Sequence, residues 1–180
     1  MALNRIKQEF QEITRVPIPN CGVTVGLMDN NNYFKWKATL IGPKDTGYAN
    51  GLFLLSIDFP ENYPKKAPEV CFITPIYHIN VNPRYTGPDS SEKLGHVCIS
   101  TLNWWEEECT MREVLIKIFS LFYIHNPESP YGLDRAEEYQ KNRQLYEKKI
   151  AYFTKKYAHP LIKYNYDFTK DWDFSYPGPY

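Results

Sequence analysis

The 180-residue chain lacks an excess of charge of either sign and lacks a long apolar run. Its 21 lysines and arginines balance 21 aspartates and glutamates, so its formal net charge is zero. A chain without a basic excess has little to attract nucleic acid or an anionic membrane. The most apolar stretch, Val114–Ile124, is short and contains Lys117, so it does not predict a membrane span. We therefore expect neither nucleic acid nor a membrane as the main partner.

Cysteine is scarce, and no pair of cysteines has the spacing of a metal or redox motif. The four residues Cys21, Cys71, Cys98 and Cys109 form no C-x-x-C pair, which argues against a zinc or thioredoxin-type site. Residues 1–14 carry charges throughout and predict an amphipathic helix rather than a secretory leader. An even number of cysteines would permit disulfides, but we expect a reducing compartment. The expected location is the cytoplasm, with the nucleus as a second candidate.

Hydrophobic periodicity predicts one helix followed by four strands. Leu3, Ile6, Phe10 and Ile13 recur at helical spacing, and prolines then end the pattern. Alternating or β-branched runs bounded by turn residues follow. The predicted strands are Cys21–Leu27, Phe34–Leu40, Leu52–Phe59 and Val70–Phe72. A helix followed by an antiparallel four-stranded meander indicates an α+β domain.

The second half predicts a long irregular segment, two helices and a tail. Residues 74–103 show little periodicity, and such a segment inside a compact domain is typical of a functional loop. Thr110 and Glu113 have the spacing of a capping box, which predicts a helix start. A second helix is expected with Asp134 as its cap and an apolar stripe that continues to Tyr157. We expect a domain over residues 1–160 and a tail over 161–180, whose aromatic residues dock on the domain or on a partner.

Cys98 is the residue most suggestive of chemistry. It follows Gly95-His96-Val97 inside the irregular segment, and Asn80 lies upstream in the same segment. A thiol in a glycine-punctuated loop suggests a nucleophile for acyl transfer through a thioester. The alternative is a buried structural cysteine, because free cysteine is among the most buried residue types.

Six short motifs, in this order, resemble the ubiquitin-conjugating enzyme family from Met1 to about Pro160. Their order and spacing together are more specific than any single motif. The matching stretches are Met1–Ile6, Gly42-Pro43 with Tyr48 and Gly51, Phe59-Pro60 with Tyr63-Pro64 and Ala67-Pro68, Phe72–Thr74, Tyr77–Asn80 and Gly95–Ser100. The resemblance implies the ubiquitin-conjugating fold: an N-terminal helix, an antiparallel meander, an irregular active-site segment and C-terminal helices.

The resemblance also implies a function and a role for each matching residue. Cys98 would accept activated ubiquitin as a thioester and pass it to a substrate lysine or to a ligase cysteine. Asn80 would hold the active-site loop or stabilise the oxyanion, and Ser100 occupies the family's Ser/Asp position near the cysteine. No cofactor would be bound, since ATP is used upstream by the activating enzyme. The implied contact residues are Arg5 for the activating enzyme, Ile116 and Ser120 for the donor modifier, and Lys65, Glu107 and Glu108 for a ligase.

The chain departs from the family pattern at several of these positions. Ile79 replaces the proline of the His-Pro-Asn motif, and an insertion makes Cys98 follow Asn80 by 18 positions, which is longer than usual. Lys65 and the run Glu106–Glu108 replace residues that are commonly apolar or small. Ser129 lies where many members place an acidic residue thought to help the incoming lysine.

Other functions remain open from the sequence. The chain could be a conjugating-like binding module that transfers little, or a conjugating enzyme for a ubiquitin-like modifier. A cysteine hydrolase that pairs Cys98 with a histidine is a third reading, without a matching signature. The partners expected on the first reading are ubiquitin, its activating enzyme, a ligase and a substrate protein.

Overall fold

The fold is an antiparallel sheet framed by helices. The computed structural model describes residues 1–87, 93–161 and 169–178. Its strands are β1 (Val23–Leu27), β2 (Lys35–Ile41), β3 (Leu52–Asp58) and β4 (Glu69–Phe72), in spatial order β1-β2-β3-β4 with every neighbouring pair antiparallel. Helix α1 (Ala2–Arg15) precedes the sheet. After the sheet come α2 (Ser100–Asn103), α3 (Met111–Ser120), α4 (Leu133–Lys141) and α5 (Arg143–Tyr157). The α+β class and the four-stranded meander are therefore confirmed.

Strand β2 shows how the alternating pattern positions the core. Trp36, Ala38 and Leu40 are buried, whereas Lys35 and Lys37 are exposed on the other face. Successive side chains on a strand point to opposite faces, so one face enters the core. Strand β1 begins at Val23 rather than at Cys21, because the chain turns at Gly22, whose φ is +52°.

The inner face of α1 is joined to the rest of the fold by a buried carboxylate. Glu9 accepts hydrogen bonds from Arg5 Nε at 2.5 Å, from the Tyr63 hydroxyl at 2.8 Å and from the Met111 backbone N–H at 2.7 Å. These contacts link α1 to the loop after β3 and to the start of α3. Leu3, expected on the buried stripe, is 39% exposed, and Ala2 lies inside instead.

The first C-terminal helix, α3, starts with the predicted capping box. The Thr110 hydroxyl accepts from the Glu113 backbone N–H, and the Glu113 carboxylate accepts from the Thr110 backbone N–H at 2.8 Å. Each side chain thus satisfies an N–H that the helix cannot bond internally. Val114, Leu115 and Ile118 on the opposite face are fully buried.

The expectation of two C-terminal helices was wrong, because the second apolar stripe is divided at Asn142. Helix α4 ends before this residue, and the Asn142 side chain then caps α5 by accepting from the Leu145 N–H at 3.1 Å. Asp134 does not cap α4. The N-cap is Gly132, without a side-chain bond, and Asp134 lies in the first turn. An aspartate near a helix start is also favoured by the helix dipole, so sequence pattern alone does not distinguish the two positions.

The irregular segment ends in the short helix α2, and the part before α2 is held by backbone bridges. Isolated antiparallel bridges pair Cys71 with His96 and Val81 with Val97. Gly95 has φ +79°, and a Cβ there would lie 2.0 Å from the Phe72 carbonyl oxygen, so the close approach requires glycine. Residues 88–92 of the longer segment between Asn80 and Cys98 lie outside the described ranges.

The described part of the tail packs on the domain. The backbone N–H of Trp172 donates to the Pro83 carbonyl at 2.9 Å, and the Asp171 carboxylate accepts from the backbone N–H of Tyr85 at 2.7 Å. Phe174 packs edge-on against Tyr77, with ring centroids 5.2 Å apart. The tail therefore contacts the insertion between Asn80 and Cys98. Four other aromatic residues of the tail lie outside the described residues: Tyr164, Tyr166, Phe168 and Tyr180.

Candidate active site around Cys98

Cys98 is half-buried at the end of a backbone bridge. Its N–H donates to the Asn80 carbonyl at 2.9 Å, and its chain neighbours Val97 and Ile99 are buried in the core. The backbone is thus fixed on both sides of the thiol while the thiol itself remains accessible. Asn80 and Cys98 are therefore neighbours in the structure, although 18 positions separate them in the sequence.

Two polar side chains flank the sulfur of Cys98. The Asn103 amide Nδ2 donates to Sγ at 3.4 Å, and the Ser129 hydroxyl oxygen lies 3.4 Å from Sγ. Asn103 is the last residue of α2, and Ser129 lies in the loop between α3 and α4. Sequence reasoning noted Ser129 but missed Asn103. The signal available was its position five residues after Cys98, where a short helix returns the side chain toward the thiol.

Asn80 is almost fully buried and ties the loop after α3 to the active-site segment. Its Nδ2 donates to the carbonyl oxygens of Asn126 at 2.8 Å and Ser129 at 2.9 Å. Its Oδ1 accepts from the Asn126 N–H at 2.8 Å. These three bonds join Asn80 to the loop between α3 and α4. The loop that it holds is the one that carries Ser129.

The histidines near the site are arranged as structural groups. His78 is fully buried; its Nδ1 accepts from the Asn80 N–H at 3.0 Å and its Nε2 donates to the Leu121 carbonyl at 2.9 Å. Burial, and then the nearby His125, hold the pKa of His78 well below its usual range. Burial likewise lowers the pKa of His125 to about 4, and its ring stacks on His78 at 4.3 Å. Both rings are neutral at pH 7 and have no contact with Cys98 among the bonds described.

Ser100 and Ile116 are exposed, and Ser120 is half-buried. Ser100 is the first residue of α2, and its carbonyl accepts from the Trp104 N–H at 2.8 Å. On α3, Ile116 is 42% exposed, while the Ser120 hydroxyl donates to the Lys117 carbonyl at 2.6 Å. In the described part of the chain, the hydrogen bonds at the Cys98 sulfur involve Asn103 and Ser129 rather than Ser100.

The two loops expected to face a ligase are neighbours. The Trp105 indole N–H donates to the Pro64 carbonyl at 2.6 Å, and the Trp105 ring packs on Tyr63 with centroids 5.8 Å apart. Lys65 follows the first loop's proline and is exposed. The acidic run Glu106–Glu108 follows the tryptophan and is exposed as well. The two adjoining loops therefore present one exposed lysine and three exposed carboxylates.

Arg5 is more constrained than a free contact residue. Its guanidinium bonds to Glu9 and donates to the Cys109 carbonyl at 3.2 Å, and the bond to Glu9 raises its pKa above the usual range. The side chain is only partly exposed. Its charge is thus partly used to join α1 to the segment before α3.

Comparison with known families decides which class this arrangement belongs to. The family described as ubiquitin-conjugating enzyme matches residues 5–154 of the 180. The chain belongs to the ubiquitin-conjugating enzyme family. Family membership implies a conjugating-type transferase that works with ubiquitin, an activating enzyme and ligases. The matched span of this family member includes Cys98, its flanking side chains and the loops that contain Lys65 and Glu106–Glu108.

Two further features bear on what this family member can bind. Over residues 1–87, 93–161 and 169–178, no three or more histidine, cysteine, aspartate or glutamate side chains cluster in a way that would hold a metal ion. None of the helices in those same ranges has the length and apolar character needed to cross a membrane.

Proposed function

We propose that Cys98 accepts activated ubiquitin as a thioester and passes it to a substrate lysine or to a ligase cysteine. The observation that carries this proposal is the accessible thiol of Cys98, whose backbone N–H donates to the Asn80 carbonyl and whose sulfur is flanked by Asn103 and Ser129. A half-buried thiol with polar neighbours is open to an acyl donor, whereas a purely structural cysteine is enclosed by apolar side chains.

Within the described residues, the hydrogen bonds at the Cys98 sulfur come from Asn103 and Ser129, and such neutral partners are compatible with thioester exchange. In charging, the Cys98 thiolate attacks the carbonyl carbon of the modifier's thioester, and the activating enzyme's thiolate leaves. One C–S bond forms while an equivalent one breaks, so the exchange is close to balanced in energy. Strong base catalysis is therefore unnecessary, and the neutral pair His78 and His125 has no part in the step.

The proposed partners follow from the same reaction. Ubiquitin is the proposed modifier, its activating enzyme the donor, and ATP is consumed by that enzyme with no cofactor bound here. Ile116 and Ser120, on the exposed face of α3, are proposed to support the donor modifier, and α1 with Arg5 to face the activating enzyme. All four cysteines are unpaired, which supports the cytoplasm, with the nucleus as a second compartment.

Charging of the purified full chain tests this function. With activating enzyme, ATP and ubiquitin, we expect an adduct that survives without reductant and disappears when reductant is added. Parallel reactions with ubiquitin-like modifiers, each with its own activating enzyme, identify the preferred modifier. An adduct with a ubiquitin-like modifier alone would redirect the proposal to that modifier. A chain that forms no adduct with any of them would be a binding module, and cleavage of a modifier fusion without ATP would indicate a hydrolase.

We further propose that Lys65 and the acidic run Glu106–Glu108 restrict which ligase can bind. They are exposed on adjoining loops held together by Trp105 and Pro64. Charged groups at an interface set specificity and association rate, and salt screens them. A ligase with an ordinary apolar groove would have to desolvate these charges without partners.

Replacing these residues with apolar or small ones should allow ligases with an ordinary apolar groove to stimulate lysine discharge. In the variant with Lys65→Phe, Glu107→Pro and Glu108→Ala, we expect a generic RING-type ligase to stimulate lysine discharge more than in wild type, with charging unchanged. The matched control is Lys148→Phe, which alters an exposed lysine on α5. Discharge is measured at two salt concentrations with and without the ligase. Full stimulation of wild type, or no gain in the variant, would show that these charges only solvate the surface.

A further inference from the structure

The tetrahedral intermediate of lysine discharge requires a hydrogen-bond donor near Cys98. When an amine attacks the thioester, the carbonyl π electrons move to oxygen, and a donor placed at that oxygen stabilises the developing charge. Asn80 is the side chain that sequence reasoning nominated for this task. The hydrogen bonds of Asn80 determine whether its amide has a donor available for the oxyanion.

Asn80 has no amide hydrogen left to give. An amide nitrogen carries two hydrogens, and both hydrogens of Asn80 Nδ2 go to backbone carbonyls, those of Asn126 and Ser129. The side chain is also 1% exposed. Releasing one of these hydrogens would leave a carbonyl of the loop unpaired and move the residue that holds Ser129 in place. The contribution of Asn80 is therefore to position that loop.

Asn103 has the opposite arrangement. Its side chain is exposed, and its Nδ2 donates directly to Cys98 Sγ at 3.4 Å. Its backbone N–H is bonded to the Ile99 carbonyl at 3.1 Å, so the residue belongs to the same short helix that follows the cysteine. The carbonyl oxygen of an acyl group on Sγ is two bonds from the sulfur, so a donor that reaches Sγ is within reach of that oxygen.

The Ser129 hydroxyl, which also lies near the sulfur, differs from Asn103 in the hydrogen bonds that it can make. The Ser129 oxygen lies 3.4 Å from Sγ, but a hydroxyl can both donate and accept, whereas an amide NH₂ only donates. Ser129 is therefore suited to accept a hydrogen bond from an approaching amine, and Asn103 to donate to the oxygen. The two side chains lie in different elements, α2 and the loop after α3, which allows them to serve different groups of the intermediate.

We propose that Asn103 is a catalytic residue of discharge that donates its amide N–H to the oxyanion, while Asn80 only positions the loop. This assignment rests on the proposed role of Cys98. In the step, the amine nitrogen forms a bond to the carbonyl carbon, and the C=O electron pair moves to the oxygen held by Asn103. Collapse re-forms C=O, the C–S bond breaks, and the proton lost by nitrogen goes to the released thiolate. The products are an amide and free Cys98.

Single-turnover discharge of preformed thioester tests the assignment. The full chain is charged, the activating enzyme is stopped by removing ATP, and thioester loss is followed over a range of free lysine concentrations. For Asn103→Leu, similar in shape but without a donor, we expect about a 10²-fold lower maximal rate with an unchanged half-saturating lysine concentration. The lower end of the usual range applies because water reaches this exposed site. Asn103→Gln, which keeps the amide, should discharge faster than Asn103→Leu.

The controls separate failure of this inference from failure of the proposed function. Thr101→Ala lies on the same short helix and should behave as wild type. Both Asn103 variants should charge to the same final extent as wild type and unfold at the same temperature, since the side chain is exposed. Wild type that never charges would refute the role of Cys98 itself. If wild type charges, equal discharge by Asn103→Leu overturns the assignment. The assignment is also overturned if Asn103→Leu changes only the half-saturating lysine concentration, or if Asn103→Gln discharges as slowly as Asn103→Leu.

Discussion

Replacing Cys98 with serine is expected to abolish the reductant-sensitive adduct completely while leaving the fold intact. The thiol is half-buried, and a hydroxyl of smaller size can occupy its place without loss of core packing. An oxygen nucleophile would give an ester that reductant does not cleave, if the activating enzyme transfers to it at all. The measurement is the charging reaction with ubiquitin, analysed with and without reductant, beside a thermal unfolding curve.

The other cysteines provide matched controls for this result. Cys71 is buried, and burial together with Glu69 raises the pKa of its thiol to about 12, so almost none of it is thiolate at pH 7. Burial also raises the pKa of Cys21, and Cys109 lies at the loop before α3. Cys21→Ser and Cys109→Ser should charge normally. Loss of the adduct in either variant, with an unchanged unfolding curve, would move the nucleophile away from Cys98.

Replacing Asn80 with alanine is expected to impair both stability and charging. The substitution removes three hydrogen bonds from a buried position and leaves loop groups of Asn126 and Ser129 without partners. Each buried polar group left unpaired costs about 1–3 kcal/mol, and part of this cost is recovered because water reaches the loop. We expect a loss of about 2–3 kcal/mol in the free energy of unfolding. Denaturant titration and initial charging rates measure the two effects.

A second substitution at the same position distinguishes positioning from catalysis. Asn80→Asp keeps the shape but turns the donor atom into an oxygen facing two carbonyl oxygens, so it should be at least as unstable as Asn80→Ala. An oxyanion donor would give a different pattern, with normal stability, normal charging and slow discharge only. That pattern in Asn80→Ala would return the catalytic role to Asn80 and contradict its placement as a loop anchor.

The parts of the fold that were predictable from sequence are those governed by local rules. The alternation in β2 and the capping box at Thr110 depend on neighbours a few residues away, and both are confirmed. The division of the last helix at Asn142 was missed because one apolar stripe crosses it. At that point the Asn142 side chain accepts a hydrogen bond from the Leu145 N–H. This bond starts a new helix and competes with continuation of the first one.

The candidate site was predictable only in part, because its contacts join distant segments. Motif resemblance led to Cys98 and Asn80, and the structure places them together. The motif resemblance could not show which atoms Asn80 bonds, because the partners of Asn80 lie 46 and 49 residues away in the sequence. Nor could it show that Arg5 is committed to Glu9 and Cys109, or that Asn103 reaches the thiol. Each of these depends on side-chain directions set by tertiary packing.

The docking of the tail on the insertion has a consequence for where this chain can be shortened. The family match ends at residue 154, but aromatic contacts continue through Phe174 and Tyr176, which cover Phe153 and Tyr77. Removing the residues after the end of the match would expose these rings as an apolar surface patch, and such patches promote self-association. It would also remove the two bonds that brace Pro83 and Tyr85. Residues 169–178 therefore need to be kept in any shortened version of this chain.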